Sequence, residues 1–320
     1  MGRYLLRRLL ITIPVLLAIT VAMFIIINLS PGDPVTALLN PEQMANMGPE
    51  WVEAQKESLG LNDPAPVRYF KWLGQTLQGN LGYSSADRMP VLEKIGERIL
   101  PTLRLMSVVI AVSVAVGIPL GVISALKQYS WIDYLLTVLG FLAVSIPGFF
   151  LALVLIYVFA LKLDWLPATG MYTVGQPRSL WDSFTHLILP ATVLGLSQAA
   201  PIIRYTRASL LDTIRQDYVT TARSKGLAER RVVVGHALRN ALIPIITIVA
   251  LQIPGLLSGT VIIEQVFAWP GMGSLAIAAV QGRDYNTLMG INLIAATMIL
   301  LSNLLADVVY AFVDPRIKYG

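Results

Sequence analysis

The residues best suited to chemistry are the cations of a polar stretch that runs from Tyr205 to Pro244. It is the longest polar run in the second half of a very apolar chain. The stretch and the residue before it carry eight cations, Arg204, Arg207, Arg215, Arg223, Lys225, Arg230, Arg231 and Arg239. Only Asp212, Asp217 and Glu229 oppose them. Such side chains recognise anionic groups, so the stretch predicts a docking surface rather than a simple connector.

Residue patterns typical of catalysis do not occur in the sequence. It contains no G-x-x-x-x-G-K-S/T loop for nucleotide phosphates, no G-x-S-x-G elbow and no H-E-x-x-H helix. Cysteine is absent, and the only histidines are His186 and His236, which we predict on opposite sides of a membrane. We therefore assign no catalytic residue, no cofactor and no metal to this chain. If the chain moves a solute uphill, the energy comes from elsewhere.

Composition places the chain in a membrane. Of its 320 residues 55% are hydrophobic and 13% are charged, whereas soluble domains are about 25% charged. The mean hydropathy is +0.67. The formal charge of +5 is within what cytoplasmic loops of a membrane protein supply, so nucleic-acid binding is an unnecessary explanation. We expect an all-α polytopic membrane protein.

The apolar runs predict six transmembrane helices. They are Leu9–Leu29, Thr102–Leu126, Tyr134–Leu161, Leu187–Ile203, Ala241–Ile263 and Thr287–Val313. The first run resembles a signal peptide in its basic start, but its length and the lack of an A-x-A site favour an uncleaved span. Cations concentrate in the N-terminus, the basic stretch and the C-terminus, which predicts both termini in the cytoplasm. Prolines in the spans favour bent helices around a pathway.

Few ionisable residues fall inside the predicted spans. Arg104, Glu264 and Asp307 are the exceptions, and each lies near a span end. We expect them to snorkel to the interface or to pair helices rather than to relay protons. A proton- or sodium-driven carrier is correspondingly disfavoured.

The chain divides into three predicted parts. Residues 1–98 form the first span and a small helical extracytoplasmic cap, with helices expected at Pro49–Ser58, Pro66–Leu77 and Pro90–Ile99. Residues 99–313 form a five-span core that includes a cytoplasmic loop at 204–240. Residues 314–320 form a cytoplasmic tail.

Helical patterning within the basic stretch predicts a compact elbow. One helix is expected at Ala208–Ser224 and a second at Glu229–Leu242. Gly226 follows the first helix, in the position where a helix ends in a left-handed residue. An amphipathic hairpin held on anionic lipid by its basic side chains remains an alternative.

The sequence DYVTTARSKGL…HALRNALIP in this stretch resembles the cytoplasmic loop of ABC-importer permeases. The family signature is an E-A-A triplet, three residues, glycine, and about ten residues to I-x-L-P. The triplet falls on Thr220-Thr221-Ala222, the glycine on Gly226 and the leucine on Leu238. Thr220 replaces glutamate and Arg239 replaces proline, and both departures match the branch that imports peptides and related solutes.

Further segments resemble the same branch over nearly the whole chain. They are PGDP at 31–34, LGLNDP at 59–64, GNLG at 79–82, ILPTL at 99–103, LPATG at 166–170, HLILPA at 186–191, YTRASLLD at 205–212, FAWPGMG at 267–273, RDY at 283–285 and DPRIKY at 314–319. Asn286 departs from the proline that usually follows RDY. The chain looks most like the first, B-type permease of an oligopeptide or dipeptide importer.

This resemblance implies a six-helix type I importer permease that forms half of a translocation pathway. It implies a homologous second permease, two cytoplasmic ATPases that bind ATP and magnesium, and an extracytoplasmic peptide-binding protein in a bacterial or archaeal cytoplasmic membrane. Coupling to the ATPases is expected from Thr220, Thr221, Ala222, Arg223, Lys225, Gly226, Leu227, Glu229 and Arg230. The alternatives are import of nickel chelates or glutathione by the same machinery, and an autonomous carrier or channel.

Overall fold

The predicted all-α architecture is confirmed. A computed structural model describes residues 2–29, 50, 51, 53, 54, 57 and 62–313. Within this part of the chain the backbone is helical apart from turns, loops and one isolated bridge between Tyr83 and Pro90. The predicted helix Pro49–Ser58, the PGDP segment and the C-terminal tail lie wholly or largely outside the described residues.

Eleven α-helices and two π-helical segments make up the described chain. The helices are α1 (Gly2–Leu29), α2 (Ala65–Leu77), α3 (Val91–Leu126), α4 (Trp131–Ser145), α5 (Gly148–Leu155), α6 (Leu180–Ile214), α7 (Asp217–Ser224), α8 (Glu229–Arg231), α9 (Arg239–Val266), α10 (Met272–Gln281) and α11 (Tyr285–Val313). The π-helical segment π1 (Ile156–Lys162) continues α5, and π2 (Val232–Leu238) joins α8 to α9.

Five helices of the described chain are long and apolar enough to cross a membrane. They lie at Leu10–Leu29, Val91–Leu126, Leu180–Ile214, Glu229–Leu256 and Tyr285–Val309. Each overlaps one of the predicted spans. The predicted span Leu187–Ile203 is the middle of a much longer helix, since α6 runs for 35 residues through Pro190 and Pro201.

The predicted span Tyr134–Leu161 is wrong as a single helix. The chain bends there by 103° between α4 and the helix of α5 and π1, so the total is six spans only when this pair counts as one. Proline explains the position of the bend, because it disfavours helical geometry in the residue before it. Ile146, which precedes Pro147, is extended at φ −77° and ψ 123°.

The chain forms two compact units, and the first is built on Thr102–Pro270. Helix α6 is its central helix, since 61% of the residues in its most apolar stretch are buried. The corresponding share for α1, most of which belongs to the second unit, is 6%. The core joins α3, α5, α6 and α9 to the loop residues that follow α9. Its largest fully buried side chains include Trp269, Phe267, Leu105 and Val193.

Glycines bring α3 and α6 close together in this unit. A Cβ atom added to Gly117 would lie 2.6 Å from Ile202, and one added to Gly121 would lie 2.6 Å from Cβ of Thr206 and 2.8 Å from the Ile203 carbonyl oxygen. Small residues permit such approach between membrane helices, where packing supplies most of the association energy. This contact between α3 and α6, called the seam below, therefore requires glycine at both positions, because any side chain would collide with α6.

A buried carboxyl group also joins two helices of the first unit. The Thr102 hydroxyl of α3 donates a 2.8 Å hydrogen bond to Oε1 of Glu264 on α9. Glu264 is 0% exposed. The expectation that this residue pairs helices is confirmed.

The second unit comprises Arg7–Pro101 and Gly271–Met298. It includes the predicted cap helix, which the structure places at Ala65–Leu77, one residue earlier than predicted. The predicted helix Pro90–Ile99 does not end at Ile99, because α3 continues through Pro101 to Leu126. The predicted boundary after residue 98 therefore falls inside a helix. Helix α10 lies in what was predicted as a plain outer loop.

Asp284 of the RDY segment is the polar centre of the second unit. It is 2% exposed and accepts hydrogen bonds from the hydroxyls of Ser84 at 2.5 Å and Thr287 at 2.6 Å. Asn286 sits in the first turn of α11, and its amide donates to the Tyr83 carbonyl oxygen at 2.9 Å. Proline at this position has no side-chain donor, so the departure from the family pattern adds a hydrogen bond to the cap.

Replacement of Gly121 by alanine is expected to lower the thermal stability of the purified chain in detergent. The added methyl group overpacks the seam, which costs about 1–3 kcal/mol. The matched control is Gly96→Ala in the same helix, where no described atom lies within 4 Å of the added Cβ. Equal melting midpoints for the two variants would contradict the tight seam.

Candidate coupling site

The polar elbow begins where α6 ends. The predicted helix Ala208–Ser224 is wrong as one helix, because α6 stops at Ile214 and α7 starts at Asp217. Tertiary packing explains the break: Leu210 and Val219 are nine residues apart, which places them about half a turn out of phase on a straight helix. Both are fully buried in one cluster. The chain must break between them to bury both.

Gly226 forms the sharp bend that the sequence predicts. Its φ is +77°, in the left-handed region. Its amide donates to the Arg223 carbonyl oxygen at 2.9 Å, and the Lys225 amide donates to that of Thr221 at 3.1 Å, so the end of α7 is capped. No described atom lies within 4 Å of an added Cβ at Gly226. Backbone conformation, not space, therefore selects glycine here.

The second limb of the elbow is longer than predicted. The expected helix Glu229–Leu242 does begin at Glu229, but it continues through π2 into α9 and ends only at Val266. Pro244 and Pro254 lie inside α9. The elbow is thus continuous with a membrane-spanning helix on its C-terminal side and, across a two-residue break, with α6 on its N-terminal side.

One apolar cluster lies beneath α7 and anchors it to the membrane helices. Its buried members are Ala125 of α3, Leu210 of α6, Val219 and Ala222 of α7, Val232 and Ala237 of π2, and Ala241 of α9. Leu227 is half-buried against them. Because five elements share this cluster, α7 cannot shift without repacking the ends of α3, α6 and α9 that lie next to it.

The remaining predicted coupling residues lie on the exposed side of the elbow. They are Thr220, Thr221, Arg223, Lys225, Gly226, Glu229 and Arg230. Ala222, by contrast, is 8% exposed and packs inward. The structure thus separates the predicted set into an inward packing residue, a half-buried leucine, a bend and a polar outer face.

An ion pair closes the elbow across the bend. Arg223 donates to the two carboxylate oxygens of Glu229, from Nη2 at 2.6 Å and from Nε at 3.1 Å. These hydrogen bonds raise the pKa of Arg223 above its ordinary value. The pair is solvent-exposed, so it holds the local geometry while adding little to overall stability.

A groove of about 570 Å³ lies beside the bend, lined by Ala228, Arg230, Arg231, Val234 and Gly235. Its wall combines two guanidinium groups with an exposed valine. Such a surface suits a partner that presents both acidic and apolar groups.

A buried ion pair near the elbow was not predicted from the sequence. Asp133, at the start of α4, is 3% exposed and accepts from Arg207 of α6 through two bonds, Nε to Oδ1 at 2.8 Å and Nη2 to Oδ2 at 2.7 Å. Asp133 directly precedes the predicted span Tyr134–Leu161, and Arg207 counts among the cations of the basic stretch. The only local signal was Ser130, three residues before Asp133, in the position of a helix N-cap.

The comparisons with protein families identify the chain. A model described as "Binding-protein-dependent transport system inner membrane component" matches residues 117–319. A model for the N-terminal part of such membrane components matches residues 1–106. The chain belongs to this family. It is a multi-pass membrane permease subunit of an ABC importer, not an enzyme, and the resemblance inferred from the elbow motif is confirmed.

Curated relatives match over the full length. The chain is 43% identical over 320 residues to the oligopeptide transport system permease protein AppB of Bacillus subtilis, covering 100% of both chains. It is 38% identical to the dipeptide transport system permease protein DppB of Alkalihalophilus pseudofirmus, covering 99% of both. It is 37% identical to the glutathione transport system permease protein GsiC of Escherichia coli, covering 100% of both.

A solved structure supports the predicted fold. The chain resembles an inward-facing structure of the MetNI methionine ABC transporter with a TM-score of 0.55. The match covers 69% of this chain and 96% of that chain at 16% identity, so it bears on fold alone. The predicted type I importer permease architecture is confirmed.

Replacement of Gly226 by valine is expected to abolish energy-coupled import while leaving membrane insertion and abundance unchanged. A β-branched residue in the left-handed region adds strain of about 1–2 kcal/mol or more, which straightens or displaces the bend. Import by membrane vesicles, normalised to permease abundance, measures the effect. The control is Gly226→Asn, since asparagine adopts this conformation readily. Full import by the valine variant would contradict a role for the bend.

Proposed function

We propose that this chain is one of two permeases of an ATP-driven importer of oligopeptides or dipeptides. In this role it forms half of the translocation pathway. The elbow of α7 and α8 transmits the closure of a cytoplasmic ATPase to the membrane helices. The observation that carries the proposal is the apolar cluster beneath α7, because it makes the exposed elbow and the adjacent ends of α3, α6 and α9 one packed body.

The family description and the exposed elbow support the proposed partners. Its exposed elbow carries Thr220, Thr221, Arg223, Lys225 and Arg230, and we expect an ATPase subunit to contact this face. ATP and magnesium are bound by two such ATPases, and this chain holds no cofactor of its own. A homologous second permease completes the pathway, and an extracytoplasmic binding protein delivers the substrate.

The mechanism is a shift between two conformations. ATP binding closes the ATPases and displaces both elbows, which favours the outward-facing pathway. Ligands shift such an equilibrium only through a difference in affinity, so the loaded binding protein and ATP must both favour the outward-facing state. Hydrolysis then returns the pathway to the inward-facing state. In this arrangement the elbow, both termini and the ATPases lie on the cytoplasmic side.

Peptides are the proposed substrate because relatives at 43% and 38% identity over full length carry the names oligopeptide and dipeptide permease. Glutathione is a second candidate, favoured by the 37% identical relative that carries its name. Nickel chelates remain an alternative within the same machinery. An autonomous carrier or channel is disfavoured, because the family is described as part of binding-protein-dependent systems.

The proposal is tested by reconstituting the two permeases with their ATPases and binding protein in liposomes. We expect uptake of labelled di- to pentapeptides only when magnesium ATP is enclosed with the ATPases. Excess glutathione or nickel chelate should compete poorly. If one of these is the substrate instead, its labelled form is taken up under the same conditions and the labelled peptides are not. Uptake by the permeases without ATPase or ATP would instead establish an autonomous carrier.

Replacement of Arg223 by glutamine is expected to weaken co-purification of the ATPase by about fivefold or more, as for an interface residue of energetic importance. The melting midpoint of the permease should not change, because the Arg223–Glu229 pair is exposed. Arg178→Gln, in the exposed loop before α6, is the matched control and should retain ATPase binding. Unchanged ATPase binding by the Arg223 variant would remove this residue from the docking face.

A further inference from the structure

Residues 206–210 of α6 contact α3, α4, α9 and the apolar cluster beneath α7. Thr206 packs against Gly121 of α3, where an added Cβ would lie 2.6 Å away. Ser209 donates a 2.9 Å hydrogen bond to the Ala241 carbonyl oxygen of α9. Leu210 enters the apolar cluster beneath α7. Between these residues lies Arg207, whose guanidinium group binds α4.

The Arg207 contact differs from the others because it is ionic, bidentate and desolvated on one side. The Asp133 side chain is 4% exposed and that of Arg207 is 28% exposed. Two parallel N–H···O bonds fix the relative orientation of the two groups as well as their distance. Apolar contacts allow sliding, whereas this geometry does not.

The Asp133 carboxylate also organises the turn between α3 and α4. It accepts a hydrogen bond from the Ser124 hydroxyl of α3 and one from the Tyr129 amide at 3.0 Å. Tyr129 has a φ of +62°, which is unfavourable for a side chain of this size. A left-handed tyrosine persists only where its surroundings determine its conformation, and the Asp133 bond does so here. The carboxylate thus joins α3, the turn, α4 and α6 at one point.

We propose that Asp133 and Arg207 are positioning residues that make α4 move with the elbow, so that ATPase closure reaches the bend between α4 and α5. This inference rests on the proposed function and assigns to it the pair through which α4 is coupled. Without the pair, α3, α6, α7 and α9 remain joined by apolar packing. Helix α4 still packs along α6, where a Cβ added to Gly140 would lie 4.0 Å from Ala200, but it loses the bidentate contact that fixes its orientation beside the elbow.

The test compares Asp133→Asn, Arg207→Gln and the double variant in the reconstituted transporter. Each single variant leaves one uncompensated charge at a largely buried site, which destabilises the chain for reasons unrelated to coupling. The double variant removes both charges and retains polar groups for Ser124 and the Tyr129 amide. Asp164→Asn is the control, since this carboxylate is exposed and asparagine tolerates its φ of +51°.

We expect the double variant to assemble and hydrolyse ATP normally but to consume about fivefold or more ATP per substrate imported, the lower end of typical coupling between sites. The chain has no cysteine, so spin labels can be placed at Val138→Cys on α4 and Gln216→Cys at the start of α7. With the pair intact, the distribution of distances between the two labels should be narrow in all nucleotide states. In the double variant it should be broad.

Wild-type stoichiometry in the double variant, or an unchanged narrow distance, overturns the proposal and leaves the pair a local structural contact. These outcomes differ from the one expected if the proposed function itself is wrong, because the unmodified transporter then shows no ATP-driven import. In that case the pair has no coupling role to perform, and the inference falls with it.

Discussion

A lipid bilayer offers the peptide group no hydrogen-bond partner, so every departure from helix in a span requires a local substitute. The bend at Pro147 illustrates this constraint. The Ile146 amide donates to the Leu142 carbonyl oxygen at 3.0 Å, and the Phe150 amide donates to that of Pro147 at 2.9 Å, so both helix ends at the bend are partly satisfied. The remaining end groups at the bend require water or neighbouring protein groups as partners.

The same constraint changes how helices associate, because lipid competes with apolar side chains as a neighbour. Close packing and buried polar contacts therefore hold the helices together. Gly117 and Gly121 let α3 approach α6, Thr102 binds Glu264 across α3 and α9, and Asp133 binds Arg207 across α4 and α6. Two of these contacts, those of Gly121 and of Asp133, fall on one turn of α6, about two turns before the elbow. Residues 203–207 of α6 thus contact both α3 and α4 close to the elbow.

Much of the candidate site was predictable because its determinants are local. Glycine is the residue that best tolerates a left-handed helix end, so Gly226 predicted the bend. Its spacing to Leu238 matched the motif of the family. The outward position of the charged residues followed from their charge. The break at residues 215 and 216 was not predictable, because no proline or glycine marks it. It exists because Leu210 and Val219 share one cluster, and that cluster is assembled from five elements.

Hydropathy by itself determined that this chain is a multi-pass helical membrane protein, and the polar pattern around Gly226 located its elbow. The resemblance of its motifs to a known family then identified it as an importer permease. These properties depend on residues close together in sequence. Tertiary structure alone decided the 103° angle at the break that Pro147 marks in the third span, the inward position of Ala222 and the pairing of Asp133 with Arg207. These depend on residues far apart in the chain, 74 positions in the case of the ion pair. A carboxylate and a guanidinium so far apart give no local sign that folding will bring them within hydrogen-bond distance.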